Sequence, residues 1–133
     1  MRIKSIFAGI ALACLSVSSA FAAGNAGPWV ETKTPLVAND VFTGSAHYLV
    51  PLGAGPTGAS FFGASFYADQ AGTCEIDVSD DGSTWTLASS LALTAGNTND
   101  LTVRVRSAYY RVKFTNGGTN QGAFRVFSSE TQN

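Results

Sequence analysis

Histidine and cysteine are almost missing from this 133-residue chain, and their scarcity removes most of the chemistry open to a small protein. One histidine, His47, and two cysteines, Cys14 and Cys74, are too few for a zinc site, which takes roughly three or four His, Cys or acidic ligands. A Ser-His-Asp or Cys-His site would have to use His47. The alternation around these residues predicts His47 on a wet strand face and Cys74 towards a core, which keeps them apart. There is no G-x-S-x-G elbow. Asp69, Asp77 and Asp100 are the acids least explained by turns or solvent, but no spacing singles out a pair of glycosidase type. The inventory predicts a protein that is not an enzyme and that carries no cofactor.

Charge is also sparse, at 13 % of residues, and it forms no runs. A nucleic-acid footprint would be a basic patch or stripe, and membrane-surface binding would want a polybasic segment; neither occurs. The longest uncharged apolar run, Ile6 to Val17, falls short of the roughly 18 to 20 residues that span a bilayer as a helix. It follows Arg2 and Lys4 and precedes Ala20-Phe21-Ala22. Basic, apolar, then A-x-A is the order of a secretory signal peptide, which predicts residues 1–22 as a leader cleaved after Ala22. Around Cys14 the lipoprotein pattern fails, because Ala11 stands where Leu is wanted and Leu12 where a small residue is usual.

The predicted mature chain, 23–133, is long enough for one core and carries six basic against nine acidic side chains, a net charge of −3. It has no membrane span. Cys74 is its lone cysteine, so no internal disulfide can form, and small exported domains often depend on one. Packing or association has to replace it.

What the sequence does have is strict alternation. In Thr73-Cys74-Glu75-Ile76-Asp77-Val78-Ser79, apolar and polar residues take turns, the period of a strand with one buried face. Cys74 reads as a core residue there. Asp80-Asp81-Gly82-Ser83 supplies an Asp-Gly hairpin turn. It offers several oxygens, but a calcium loop of EF-hand type needs Glu where Ala88 stands, and flanking helices. Trp85 and Leu87 are expected to resume the inward face. Leu101, Val103 and Val105 alternate with Thr102, Arg104 and Arg106. Tyr110, Val112 and Phe114 alternate with Tyr109, Arg111 and Lys113, and Phe124 and Val126 flank Arg125.

Towards the N-terminus, Trp29 to Lys33 reads as a short strand. Val41 to Val50 reads as another, with Phe42, Tyr48 and Val50 on one face and Thr43, Ser45 and His47 on the other. Pro51 to Ser60 is a Gly/Pro-rich loop, and Phe61 to Ala68 carries rings on both faces, so it is expected to be covered on both sides. No segment has a helical period. Seven or eight short strands separated by turns predict an all-β, antiparallel sandwich or jelly roll. If acidic Glu75 and Asp77 lie beside basic Arg104 and Arg106 or Arg111 and Lys113, cross-strand pairs form on a solvated sheet face.

From Phe66 to Phe127 the chain resembles small β-sandwich domains of tailed-phage virion proteins. The likeness is carried by Ala68-Asp69-Gln70-Ala71-Gly72, by Glu75 through Trp85, by Tyr109-Tyr110-Arg111-Val112, by Thr115-Asn116-Gly117-Gly118 and by Gln121 through Arg125. The S-x-D-G-x-x-W turn and the Y-x-R-V strand are also similar to discoidin-like, galactose-binding-like jelly rolls. The resemblance implies a non-catalytic module that decorates a particle or surface, or one that attaches to glycan. A secretion signal departs from the phage pattern.

Two functions are therefore expected. The first is an exported structural or attachment subunit, with a protein partner or self-association. The alternative is a carbohydrate-binding module, for which Trp29, Tyr48 and Tyr109 are the exposed rings on which a sugar could stack.

Overall fold

The computed structural model describes residues 26–49 and 59–132. The predicted signal peptide, Cys14, Val50 and most of the Pro51–Ser60 loop lie outside the described residues. Within them the alternation becomes nine antiparallel strands in two facing sheets. Sheet A has the order β1 (Ala26–Thr32), β9 (Phe124–Gln132), β4 (Ser60–Ala68), β7 (Thr98–Arg104). Sheet B has the order β2 (Val41–Thr43), β8 (Tyr109–Asn116), β5 (Gly72–Ser79), β6 (Thr86–Leu93), with β3 (His47–Tyr48) also on β8. The expected sandwich is what forms. No helix among the described residues is long and apolar enough to cross a membrane.

The core is made by one face of each alternating strand. Phe62, Phe66, Cys74, Ile76, Val112, Phe114 and Val126 are fully buried. Their rings interlock across the sheets, with Phe114 and Phe124 centroids 4.7 Å apart and Phe62 and Tyr110 5.4 Å apart. Each such side chain contributes about 1.5 to 3 kcal/mol relative to exposure, which is how the fold manages without a disulfide. Tyr110 keeps its hydroxyl satisfied by accepting from the Arg106 and Ser107 amides at 2.6 and 2.8 Å, and so fixes the turn before β8. Burial without a cationic neighbour pushes the Cys74 thiol up to about 12, so it stays protonated and inert.

Two expectations about facing fail, and both fail at a bulge. Thr43 pairs with Lys113 and His47 with Tyr110, so the run from β2 to β3 has one residue more than the stretch of β8 beside it. An extra residue reverses the alternation. His47 therefore turns inward, with Leu49 buried beyond it, while Tyr48 is 63 % exposed. A second bulge lies between β5 and β6, where Ile76 pairs with Ser89 but Asp77 pairs with Leu87. Leu87, expected inside, is 53 % exposed, and Trp85 lies with it on the outer face.

Candidate functional site

Strand β4 is the strand with rings on both faces, and the two faces meet different surroundings. Phe62, Ala64, Phe66 and Ala68 enter the core. Phe61, Gly63, Ser65 and Tyr67 form the outer face of sheet A, where they are half-buried. The expected cover on that side is absent among the described residues. Instead the face is concave. Two hollows of about 650 and 700 Å³ run into each other across it, sharing Ser65 and Phe127.

Register explains the groove. Gly63 pairs with Thr102 on one side and Ser129 on the other, and Ser65 pairs with Asp100 and Phe127. Small residues thus lie along the floor, with Phe61 and Tyr67 at either end and Phe127 beside them. Val30, 57 % exposed and paired with Phe127, extends the apolar wall. A Cβ at Gly63 would meet Thr102 Oγ1 at 3.6 Å and the Leu101 carbonyl at 3.7 Å, both ordinary contacts. The fold does not require glycine there. Its effect is to keep the groove open, as strand glycines do where another molecule approaches closely. Lys33 stands 5.8 Å over the Phe127 ring and Arg125 4.5 Å over Tyr67, so the groove mixes rings with hydroxyls and Asp100, and has cations at one end.

The outer face of sheet B is different. Here β5 and β8 do pair acid with base: Glu75 with Lys113 at 2.9 Å, and Asp77 with Arg111 at 3.1 Å. The hydrogen bond to Glu75 raises the Lys113 ammonium above its usual value. Arg104 and Arg106, by contrast, lie outside these pairs. Arg111 is also stacked 4.1 Å over Trp85. Two residues back on the same face, Tyr109 meets Tyr48 at 5.2 Å. Two of the three rings considered for sugar binding thus come together. The third, Trp29, does not join them, because it packs against the core, stacked on His47 at 4.2 Å.

His47 has a structural place. Its Nε2 lies 2.5 Å from Glu31 Oε1, and the Ser128 hydroxyl donates to the same oxygen. The carboxylate stands between the imidazole and the hydroxyl, whereas an activated serine needs the imidazole in the middle. The cluster ties β1 and β9 to β3, one sheet to the other.

The acidic turn is likewise self-sufficient. Asp81 accepts from the Ser83 and Thr84 amides at 2.8 and 2.7 Å and from the Ser79 and Thr84 hydroxyls. These donors, the Thr84 and Ser83 amides foremost, hold its carboxyl well below the usual range. Asp69 instead accepts from the Gly122 amide at 2.9 Å. Asp100 is exposed at the groove and Asp77 is engaged by Arg111, so the three acids noted from sequence lie in different settings. Among the described residues no three His, Cys, Asp or Glu side chains converge as metal ligands.

Gly63 escaped the sequence reading, because nothing in the strand pattern signals the groove, and Trp85, read as facing the core, is turned outward by the β6 bulge.

Residues 17–131 match the profile of the family described as "Uncharacterised protein YqxG N-terminal domain". Among solved structures, the chain is similar to the PBSX exported protein XepA, with 26 % identity and a TM-score of 0.69 over 80 % of this chain. That overlap spans 37 % of the XepA chain. A weaker likeness is to PirA, with 16 % identity and a TM-score of 0.46, covering 77 % of this chain and 92 % of that one. No curated protein matches the sequence.

Proposed function

This chain belongs to the family of the YqxG N-terminal domain, and from that premise we propose that it is an exported, non-catalytic structural or attachment subunit that works by protein–protein assembly. The observation that carries the reading is the open aromatic groove on sheet A. Half-buried rings on a sheet face that no other described residue covers are what a protein interface presents before its partner arrives. Phe61, Tyr67 and Phe127 supply the apolar contact, Gly63 the room, and Lys33 and Arg125 a rim suited to carboxylates.

Export is supported by the order of the first 22 residues and by the likeness to XepA, an exported protein. The sequence resemblance to tailed-phage virion domains supports a particle or cell surface as the setting. XepA is much longer than the stretch matched here, so the activity of that whole protein is not carried over.

Light scattering coupled to size exclusion, across a concentration series reaching tens of micromolar, tests the reading. The expected result is a defined oligomer. Gly63→Lys, which places a long charged side chain in the groove without crowding the core, should shift it to monomer at an unchanged melting temperature. A wild-type monomer at every concentration would sink the proposal, as would an oligomer indifferent to Gly63→Lys.

A further inference from the structure

The outer face of sheet B carries a cluster that neither core packing nor assembly through the groove explains. Tyr48, Tyr109, Trp85 and Leu87 stand there with Arg111 and Asp77. Tyr48 is 63 % exposed and Leu87 53 %. Tyr48 on β3 and Leu87 on β6 flank this face with β8 and β5 between them, and the half-buried Tyr109 and Trp85 continue the apolar surface from one to the other.

The cluster is nonetheless held in place. Tyr109 rests against the turn at Gly82, whose φ is +74° and where even a Cβ would come within 3.4 Å of the ring. Tyr48 leans on Tyr109, their centroids 5.2 Å apart. Arg111 lies 4.1 Å over Trp85 and donates from Nε and Nη2 to Asp77 Oδ2 at 3.2 and 3.1 Å. Rings and guanidinium are thus preorganised, which lowers the entropy lost when a ligand settles on them.

Three properties select the ligand. The ions of the patch, Arg111 and Asp77, neutralise each other, so a charged occupant gains little. The exposed Tyr48 ring, with half-buried Tyr109 and Trp85, fixed guanidinium N–H donors and phenolic hydroxyls on the same face, matches a pyranose, whose C–H face stacks on aromatics while its hydroxyls need directed partners. Size is the third. Alternate residues of β8 lie about 7 Å apart and neighbouring strands about 5 Å, so the patch is one or two sugar rings across. A stable protein interface needs about 800 Å² from each side, and this patch is bounded by the Glu75–Lys113 pair and the acidic turn.

We infer that this face binds a neutral glycan, with the exposed Tyr48 ring as the surface on which a sugar stacks, Tyr109 tilted at 57° beside it, and Arg111, held by the buried Asp77, as hydroxyl partner. The site is separate from the groove on sheet A and stands or falls independently of it.

The test uses the full chain on an array of neutral oligosaccharides (β-glucans, chitooligosaccharides, galactosides), with heparin and polysialic acid as anionic probes. The strongest neutral binder is then titrated in solution against wild type, Tyr48→Ala and Gly63→Lys. Tyr48→Ala, at an exposed position, should keep the wild-type melting temperature and weaken binding at least tenfold. Gly63→Lys should bind as wild type does. Retention of no neutral glycan, retention of the anionic probes alone, undiminished binding by Tyr48→Ala, or equal loss in both variants would each overturn the assignment.

Discussion

Asp81 is exposed, yet it organises the turn that joins β5 to β6. Its Oδ1 alone accepts from Ser79 Oγ and the Ser83 and Thr84 amides, while Ser79 Oγ in turn accepts from the Gly82 amide at 2.9 Å. The donors favour the charged carboxylate, so its folded value lies below the ordinary one of about 4. A depressed carboxyl adds stability above its unfolded value and loses it as pH falls through the folded one. Wild type should therefore melt higher than Asp81→Ala at pH 6, and the gap should narrow as pH drops from about 4 towards 2. Thermal melts of both proteins across that range provide the check. A gap that stays constant would mean that the carboxylate charge is not what holds the turn.

The two bulges decide which side chains the element faces present. Without the extra residue in the β5–β6 ladder, Trp85 and Leu87 would enter the core and the outer face of sheet B would lose its aromatic surface. Leu93, beyond the same bulge, pairs with Gly72 and is buried, while Leu87 pairs with Asp77 and is exposed. Leu93→Ala should thus cost about 2 to 5 kcal/mol in urea unfolding, as buried leucines do. Leu87→Ser should stay within about 0.5 kcal/mol, as surface substitutions do. Equal costs would place the bulge elsewhere. Gly72 marks the same ladder from the inside, since a Cβ there would press to 2.3 Å from the Phe114 ring and 2.6 Å from the Thr115 carbonyl.

For the whole molecule, the notable connection is polar. Glu31 reaches from β1 to His47 on β3 and to Ser128 on β9, and accepts from the Ser45 amide at 3.3 Å. One carboxylate thus holds the two sheets at the end where Trp29 stacks on His47. Glu31→Ala would leave His47, Ser128 and the Ser45 amide without their acceptor, at a cost of about 1 to 3 kcal/mol. Chemical denaturation measures that cost, and amide exchange should quicken first in β1 and β3. An unchanged midpoint would show the tie to be dispensable. The groove and the Tyr48–Tyr109 cluster lie on opposite outer faces of the sandwich, so the proposed assembly surface and the proposed glycan surface do not overlap.

By itself the sequence determined the all-β class, the inward residues Cys74, Ile76, Val112 and Phe114, and the Asp-Gly turn; only pairing decided that Arg111 and Lys113, rather than Arg104 and Arg106, meet the acids. Strict alternation is a local property, and once one face is buried a period of two fixes every neighbour in the strand. It also marked Tyr48 and Tyr109 as exposed rings, but the shared face given to Phe42 and Tyr48 and the wet placement of His47 were wrong. Both bulges lie where a strand has one residue more than its partner, and that mismatch depends on pairing with a distant strand. Tertiary structure alone decided the facing of Tyr48, His47, Trp85 and Leu87. It also made the groove, since Gly63, Phe61 and Phe127 become one surface only when β4 and β9 lie side by side. Alternation travels along the chain, whereas register and curvature exist only between strands.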